Sequence, residues 1–132
     1  MTAYTLRNLK DVEDQAVKFG LSPQLEARFA RDDLECEQTG ISYQRLAPGA
    51  RQPFAHRHAH DEELYVVLAG GGDIRLDDEF VPIEIWDTIR VAPQTVRAFA
   101  AGPDGLELLA FGMHGIDDAE MLPAVWPEQP GP

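Results

Sequence analysis

The 132 residues fit one domain, residues 1–132, and a hydrophobic content of 44% allows a sizeable core. The formal net charge of −12 repels phosphate backbones, so nucleic acid is not an expected partner. The first residues do not predict a signal peptide, no apolar run approaches the roughly 18 residues of a membrane span, and a single cysteine excludes an intrachain disulfide. We therefore expect a cytoplasmic protein without a membrane segment.

The hydrophobic pattern predicts one short helix followed by a series of strands. Residues 9–19 carry apolar side chains at loosely helical spacing. From residue 25 the period changes to two, which predicts strands at residues 25–30, 41–46, 63–69, two within 73–85, 87–92, 94–100 and 106–111. Short strands separated by turns are typical of a sandwich or barrel, with its core at about residues 25–112. The proline-rich residues 113–132 are expected to form an extended tail.

Three histidines at alternate positions, His56, His58 and His60, precede three acids and a β-prone run. Residues two apart on an extended chain face the same side, so these imidazoles can point at one ion. Glu63 heads the apolar stripe of the next strand, where a buried carboxylate needs a metal or a cation as partner. Such a nitrogen and oxygen donor set suits Fe, Mn, Ni, Co, Cu or Zn. The alternative is that the histidines are exposed loop residues before a core strand.

The remaining acidic clusters have a simpler interpretation. Most short runs of acids are solvated turns. This is the expectation for each of the clusters Asp32-Asp33, Asp77-Asp78-Glu79 and Asp117-Asp118.

The order Gly49, His56-x-His58, Glu63, Gly70 resembles the first conserved motif of the cupin superfamily. The segment from residue 86 to 99 is similar in frame to the second motif, with Asp87 and Pro93 matching. Three positions depart from that motif. Trp86 and Gln94 replace glycines, and Arg97 stands where the last metal-binding histidine would be.

The resemblance implies an all-β fold, a small antiparallel jelly-roll (double-stranded β-helix) barrel with a short N-terminal extension. It implies a divalent transition metal inside the barrel, held by His56, His58 and Glu63. Arginine cannot be a ligand, because its guanidinium stays protonated. Three outcomes follow: His60 supplies the missing nitrogen, His114 does so, or Arg97 pairs with Glu63 and no metal is bound.

The resemblance does not select one activity, because cupins include oxygenases, isomerases, decarboxylases, sugar-binding proteins and ligand sensors. If the chain is an enzyme, we expect a metal-dependent oxygenase or isomerase. We expect a small-molecule ligand that is anionic or oxygen-bearing, with Arg97 holding its carboxylate. Tyr65 and Phe99 are candidate ligand-contacting residues, although burial in the core is the expected place for such aromatic side chains. Small barrels have edges to protect, which predicts a homodimer formed through residues 25–46.

Overall fold

The computed structural model describes residues 3–112 and 118–127, and strands make up nearly all of its regular structure. The strands are β1 (Leu25–Phe29), β2 (Ile41–Leu46), β3 (Phe54–His58), β4 (Glu63–Leu76), β5 (Glu79–Glu84), β6 (Thr88–Val91), β7 (Arg97–Phe111) and β8 (Ala119–Pro123). The predicted helix is reduced to a 3₁₀ turn, Leu9–Asp11, and one helical turn, α1 (Gln15–Lys18). No helix within the described residues is long and apolar enough to cross a membrane.

All strand pairs in the described ranges are antiparallel, and they form one curled sheet. One path through the sheet runs β1-β2-β7-β3-β8, while β4 pairs with β5, β6 and β7. The buried core lies between these strands and includes Leu46, Tyr65, Val67, Ile74, Val91, Phe99, Leu106 and Leu108. The all-β class predicted from the period-two pattern and the antiparallel arrangement implied by the resemblance are confirmed.

The two longest strands run through glycines that the sequence pattern treats as strand ends. Gly70 has a φ of +70°, and a Cβ built on it would lie 1.9 Å from the carbonyl oxygen of Gly105. A side chain is therefore excluded at Gly70, where β4 lies directly against the backbone of β7. The ladder between them shifts register beside Gly70, and both strands then continue. Residues 70–72 and 102–105 separate predicted strands, but in the structure they are bends within β4 and β7.

The N-terminal extension lies against β1. Asp14 forms a β-bridge with Arg28 and accepts a hydrogen bond from the backbone N–H of Ala27. Glu26 receives charge-assisted hydrogen bonds from three cations of this region, Lys10, Arg28 and Arg45. Although burial raises the pKa of Glu26, these hydrogen bonds lower it to about 2.

The C-terminal segment contains a strand that the sequence pattern did not predict. β8 pairs with β3 along its whole length, from Phe54 opposite Pro123 to His58 opposite Ala119. The indole N–H of Trp126 donates to the carbonyl of Gln52, 2.8 Å away. β8 therefore forms part of the barrel wall beside the histidines, and Trp126 fixes the residues that follow it, so residues 118–127 are not a separate tail.

Candidate metal centre

Strand β3 carries the two histidines of the candidate site. Because His56 and His58 are two residues apart on a strand, both rings lie on one face, edge to face with centroids 5.1 Å apart. The intervening Arg57 is paired at the surface with Glu120 of β8. His58 is buried, with 5% of its side chain exposed, whereas His56 keeps 25% exposure.

Glu63, the first residue of β4, brings its carboxylate to both imidazoles. Its Oε1 atom lies 3.1 Å from Nε2 of His56 and 3.0 Å from Nε2 of His58. The predicted convergence of these three side chains is present, and they form a cluster of potential metal ligands. Ligands about 2.1 Å from one ion and at right angles around it are separated by about 3.0 Å, so the spacing suits a transition metal after small shifts.

The carboxylate of Glu63 is held from its other side by core residues. The hydroxyl of Tyr65 donates to the same Oε1 atom at 2.6 Å, and Nη1 of Arg97 lies 3.8 Å from it. Burial raises the pKa of Glu63, but hydrogen bonds from His56, His58 and Tyr65 outweigh that effect and hold it well below the usual range. The group is therefore a carboxylate at neutral pH, as a metal ligand must be.

Arg97 is fully buried, and it does not line the cavity that opens over His56, His58 and Glu63. It lies beside His56 in the ladder between β3 and β7, and its guanidinium donates to the carbonyl of Ala92 at 2.9 Å. Its Nε atom has no hydrogen-bond partner among the described residues. Arg97 is thus a buried cation behind Glu63. A residue that holds a ligand's carboxylate would instead have to line the cavity.

The other candidate residues lie apart from the cluster of His56, His58 and Glu63. His60 is exposed, and its backbone N–H donates to a carboxylate oxygen of Asp118. Phe99 packs edge to face against Tyr65, with ring centroids 5.0 Å apart, and both belong to the core rather than to the cavity lining. His114 lies outside the described residues.

A cavity of about 680 Å³ opens over the two histidines and Glu63. Its walls are largely apolar and come from α1, β1, β2, β3 and β8 and from the segments beside them. Its lining residues include Leu21, Leu25, Phe29, Ile41, Leu46, Phe54 and Met121. The outer residues Phe19, Phe54 and Met121 are more than half exposed, whereas His58 and Glu63 are buried, so the polar cluster is at the inner end. A volume of this size accommodates a small organic molecule.

Asp118 is a site residue that the sequence pattern missed. The expectation of a solvated turn is wrong for Asp118, because only 8% of its side chain is exposed and its Oδ2 lies 3.4 Å from Nδ1 of His58. Together with Asp61 it forms a second cluster around His58. Asp117 lies outside the described residues. A pair of acids before a proline-rich segment gives no sign of burial, which depends on the unpredicted strand β8.

Comparison with known proteins gives no match among family models or curated sequences. Solved structures match the fold. A cupin protein from Bacteroides fragilis superposes with a TM-score of 0.70, at 24% identity over 89% of each chain. A sugar phosphate isomerase of the cupin superfamily from Silicibacter pomeroyi gives 0.69, at 18% identity over 87% of this chain and 80% of that one. The polyketide cyclase RemF from Streptomyces resistomycificus gives 0.72, at 16% identity over 94% and 87%.

These likenesses show that the chain has the cupin fold, an antiparallel jelly-roll barrel, as the motif resemblance implied. The chain spans most of the length of each of these three proteins, so its fold is that of a small cupin with one barrel.

Proposed function

We propose that the chain binds one divalent transition metal through His56, His58 and Glu63. The observation that carries the proposal is the approach of both Nε2 atoms to within 3.1 Å of one carboxylate oxygen. Two imidazoles and one carboxylate are a donor set that leaves other coordination positions open, and such sites suit non-haem iron and related metals. Tyr65 and Arg97 fit the role of outer partners, because they hold the ligating carboxylate in place.

The proposed ligand is a small molecule with an oxygen-bearing head and a largely apolar body. The head would meet the histidines and Glu63 at the inner end of the cavity, and the body would contact the apolar walls. A bound metal ion would supply a Lewis acid or redox centre for the head. The two arginines of the cavity wall each have an acidic partner, Arg45 with Glu26 at 3.0 Å and Arg31 with Asp32 at 3.9 Å. Because the rest of the wall is largely apolar, it favours an apolar body over a phosphate.

Metal titration of the purified protein tests this proposal. Wild-type protein stripped of metal should bind about one equivalent of Zn²⁺, Mn²⁺ or Fe²⁺, and His56→Ala or Glu63→Gln should weaken binding at least 100-fold. His60→Ala is the matched control, because His60 is exposed and outside the proposed donor set. The proposal fails if wild-type protein binds none of these ions, or if His60→Ala weakens binding as much as His56→Ala.

A second candidate function is a metal-free ligand-binding module. It is favoured by the contacts of Glu63, whose Oε1 is already close to two imidazoles, a tyrosine hydroxyl and a buried guanidinium. A cation there also repels a metal ion. Arg97→His separates the two candidates, because it removes the charge and adds a nitrogen donor. On the metal-free alternative only the variant binds near one equivalent, whereas on the metal proposal both proteins do.

A further inference from the structure

Asp118, the residue immediately before β8, lies against His58 on the side opposite Glu63. Nδ1 of His58 lies 3.4 Å from Oδ2 of Asp118, while Nε2 lies 3.0 Å from Glu63. The two ring nitrogens of one buried imidazole therefore face two different carboxylates. Only the Nε2 side belongs to the proposed metal cluster.

The carboxylate of Asp118 is itself fixed by the backbone. Its Oδ1 accepts from the N–H of His60 at 2.9 Å, and its Oδ2 accepts from the N–H of Asp61 at 3.0 Å. Two amide donors orient the group and favour its charged form. An ordered carboxylate is thus present beside Nδ1.

We propose that Asp118 is a positioning residue, which keeps a proton on Nδ1 of His58 and so leaves the lone pair of Nε2 for a metal. A neutral imidazole carries one N–H, and the hydrogen bond made by one nitrogen decides the role of the other. Carboxylates that accept from the far nitrogen of a ligating histidine fix its tautomer and orientation. The consequence for metal binding rests on the proposed metal function, whereas the contact between Asp118 and His58 does not.

The proposal gives residues 118–123 a role beyond closing the barrel. The backbone N–H of Ala59 donates to the carbonyl of Asp118, so the turn after β3 and the start of β8 are linked by main chain as well as by side chain. The C-terminal segment would then set the chemistry of a histidine about 60 positions earlier in the sequence, because β3 and β8 are paired.

The test compares Asp118→Asn with Glu120→Gln, its matched control. Glu120 lies on the same strand, but it pairs with Arg57 at the exposed surface. In metal-free protein the Glu63 carboxylate, 3.0 Å from Nε2 of His58, competes with Asp118 for the proton of this ring. The proteins for the NMR comparison therefore all carry Glu63→Gln, which removes the competing charge. Long-range ¹⁵N–¹H NMR of the imidazoles, in metal-free protein above the histidine titration range, reports which nitrogen of His58 is protonated. We expect Nδ1–H to predominate in Glu63→Gln alone and with Glu120→Gln, and its population to fall when Asp118→Asn is added. Zn²⁺ affinity should fall about 10- to 100-fold in Asp118→Asn and stay within twofold in Glu120→Gln.

The two measurements separate this inference from the proposed function. An unchanged ratio of His58 tautomers in Asp118→Asn overturns the inference, even if Zn²⁺ affinity falls, because the aspartate would then act only on structure or charge. A changed ratio supports it. A wild-type protein that binds no metal removes the proposed function, while the tautomer ratio still decides the role of Asp118.

Discussion

The buried pair of Arg97 and Glu63 should be more strongly coupled than a closer pair at the surface. Nη1 of Arg97 lies 3.8 Å from Oε1 of Glu63, and their side chains are 0% and 5% exposed. Coulomb's law at an effective dielectric of about 20 gives about 4 kcal/mol at this separation. Removing one member of a buried pair typically costs about 3–5 kcal/mol, because the other charge is left without compensation. We expect Arg97→Met and Glu63→Gln each to destabilise the fold by roughly that amount.

The neighbouring pair of Arg90 and Glu62 provides the matched control. Its atoms are closer, at 3.1 Å, but the side chains are 61% and 58% exposed. Solvent screening reduces exposed pairs to about 0–1 kcal/mol. Distance alone would therefore make the surface pair the stronger of the two, whereas burial makes the pair of Arg97 and Glu63 the stronger.

Two double-mutant cycles measured by urea unfolding decide between these rankings. One cycle uses Arg97→Met with Glu63→Gln, and the other uses Arg90→Met with Glu62→Gln. The buried pair should give a coupling free energy of about 2–4 kcal/mol. The double variant should therefore lose less unfolding free energy than the sum of the losses in the two single variants. The surface pair should give less than about 1 kcal/mol. Equal coupling in the two cycles would refute the argument that burial, rather than distance, sets the strength of the pair.

Three further predictions concern other parts of the barrel. The pKa of Glu26 is about 2 in the folded chain, against an ordinary value of 4.5. The charged Glu26 carboxylate should therefore stabilise the fold fully above about pH 5, and this stabilisation should be lost as the pH falls towards 2. The difference in unfolding free energy between wild type and Glu26→Gln should shrink across that pH range. Trp86 is 73% exposed with a φ of +71°, so Trp86→Gly should raise the free energy of unfolding by about 0.5–1 kcal/mol, whereas Trp86→Ala should not. Because β1 is an edge strand, sedimentation at micromolar concentration should give twice the 14.6 kDa chain mass, and a stable monomer would contradict the predicted homodimer.

The sequence could predict the strand-borne half of the candidate site. Alternation places His56 and His58 on one face whatever the neighbouring strands are, and a charged Glu63 heading an apolar stripe needs a partner. Both inferences depend on local geometry, which the period of the side chains determines. The spacing from Glu63 to Gly70 is also a local feature, and it supported the prediction of the barrel fold. The glycines nevertheless bend β4 instead of ending it.

The direction of Arg97 could not be predicted, because both faces of residues 94–100 are apolar and parity gives no choice between them. Strand β8 and Asp118 were missed for a different reason. The C-terminal segment is paired through long-range contacts with β3, and neither its prolines nor its two acids show a period. A sequence pattern does not show which distant segment brings a partner to Nδ1 of His58.

Charge balance around the site leads to a last prediction, which rests on the proposed metal function. The carboxylate of Glu63 is offset by the buried cation of Arg97, and the carboxylate of Asp118 lies on the far side of the His58 ring. A divalent ion held there would therefore keep a net positive charge at its open positions. An anionic oxygen head should then be preferred over a neutral one of the same shape. We expect metal-loaded protein to bind benzoate at least tenfold more tightly than benzamide by calorimetry, which corresponds to about 1.4 kcal/mol. The preference should shrink when the metal is removed, because Arg31 and Arg45, the arginines of the described cavity wall, are paired with Asp32 and Glu26. Equal affinity for the two probes in metal-loaded protein would show that the site's charge does not select the ligand.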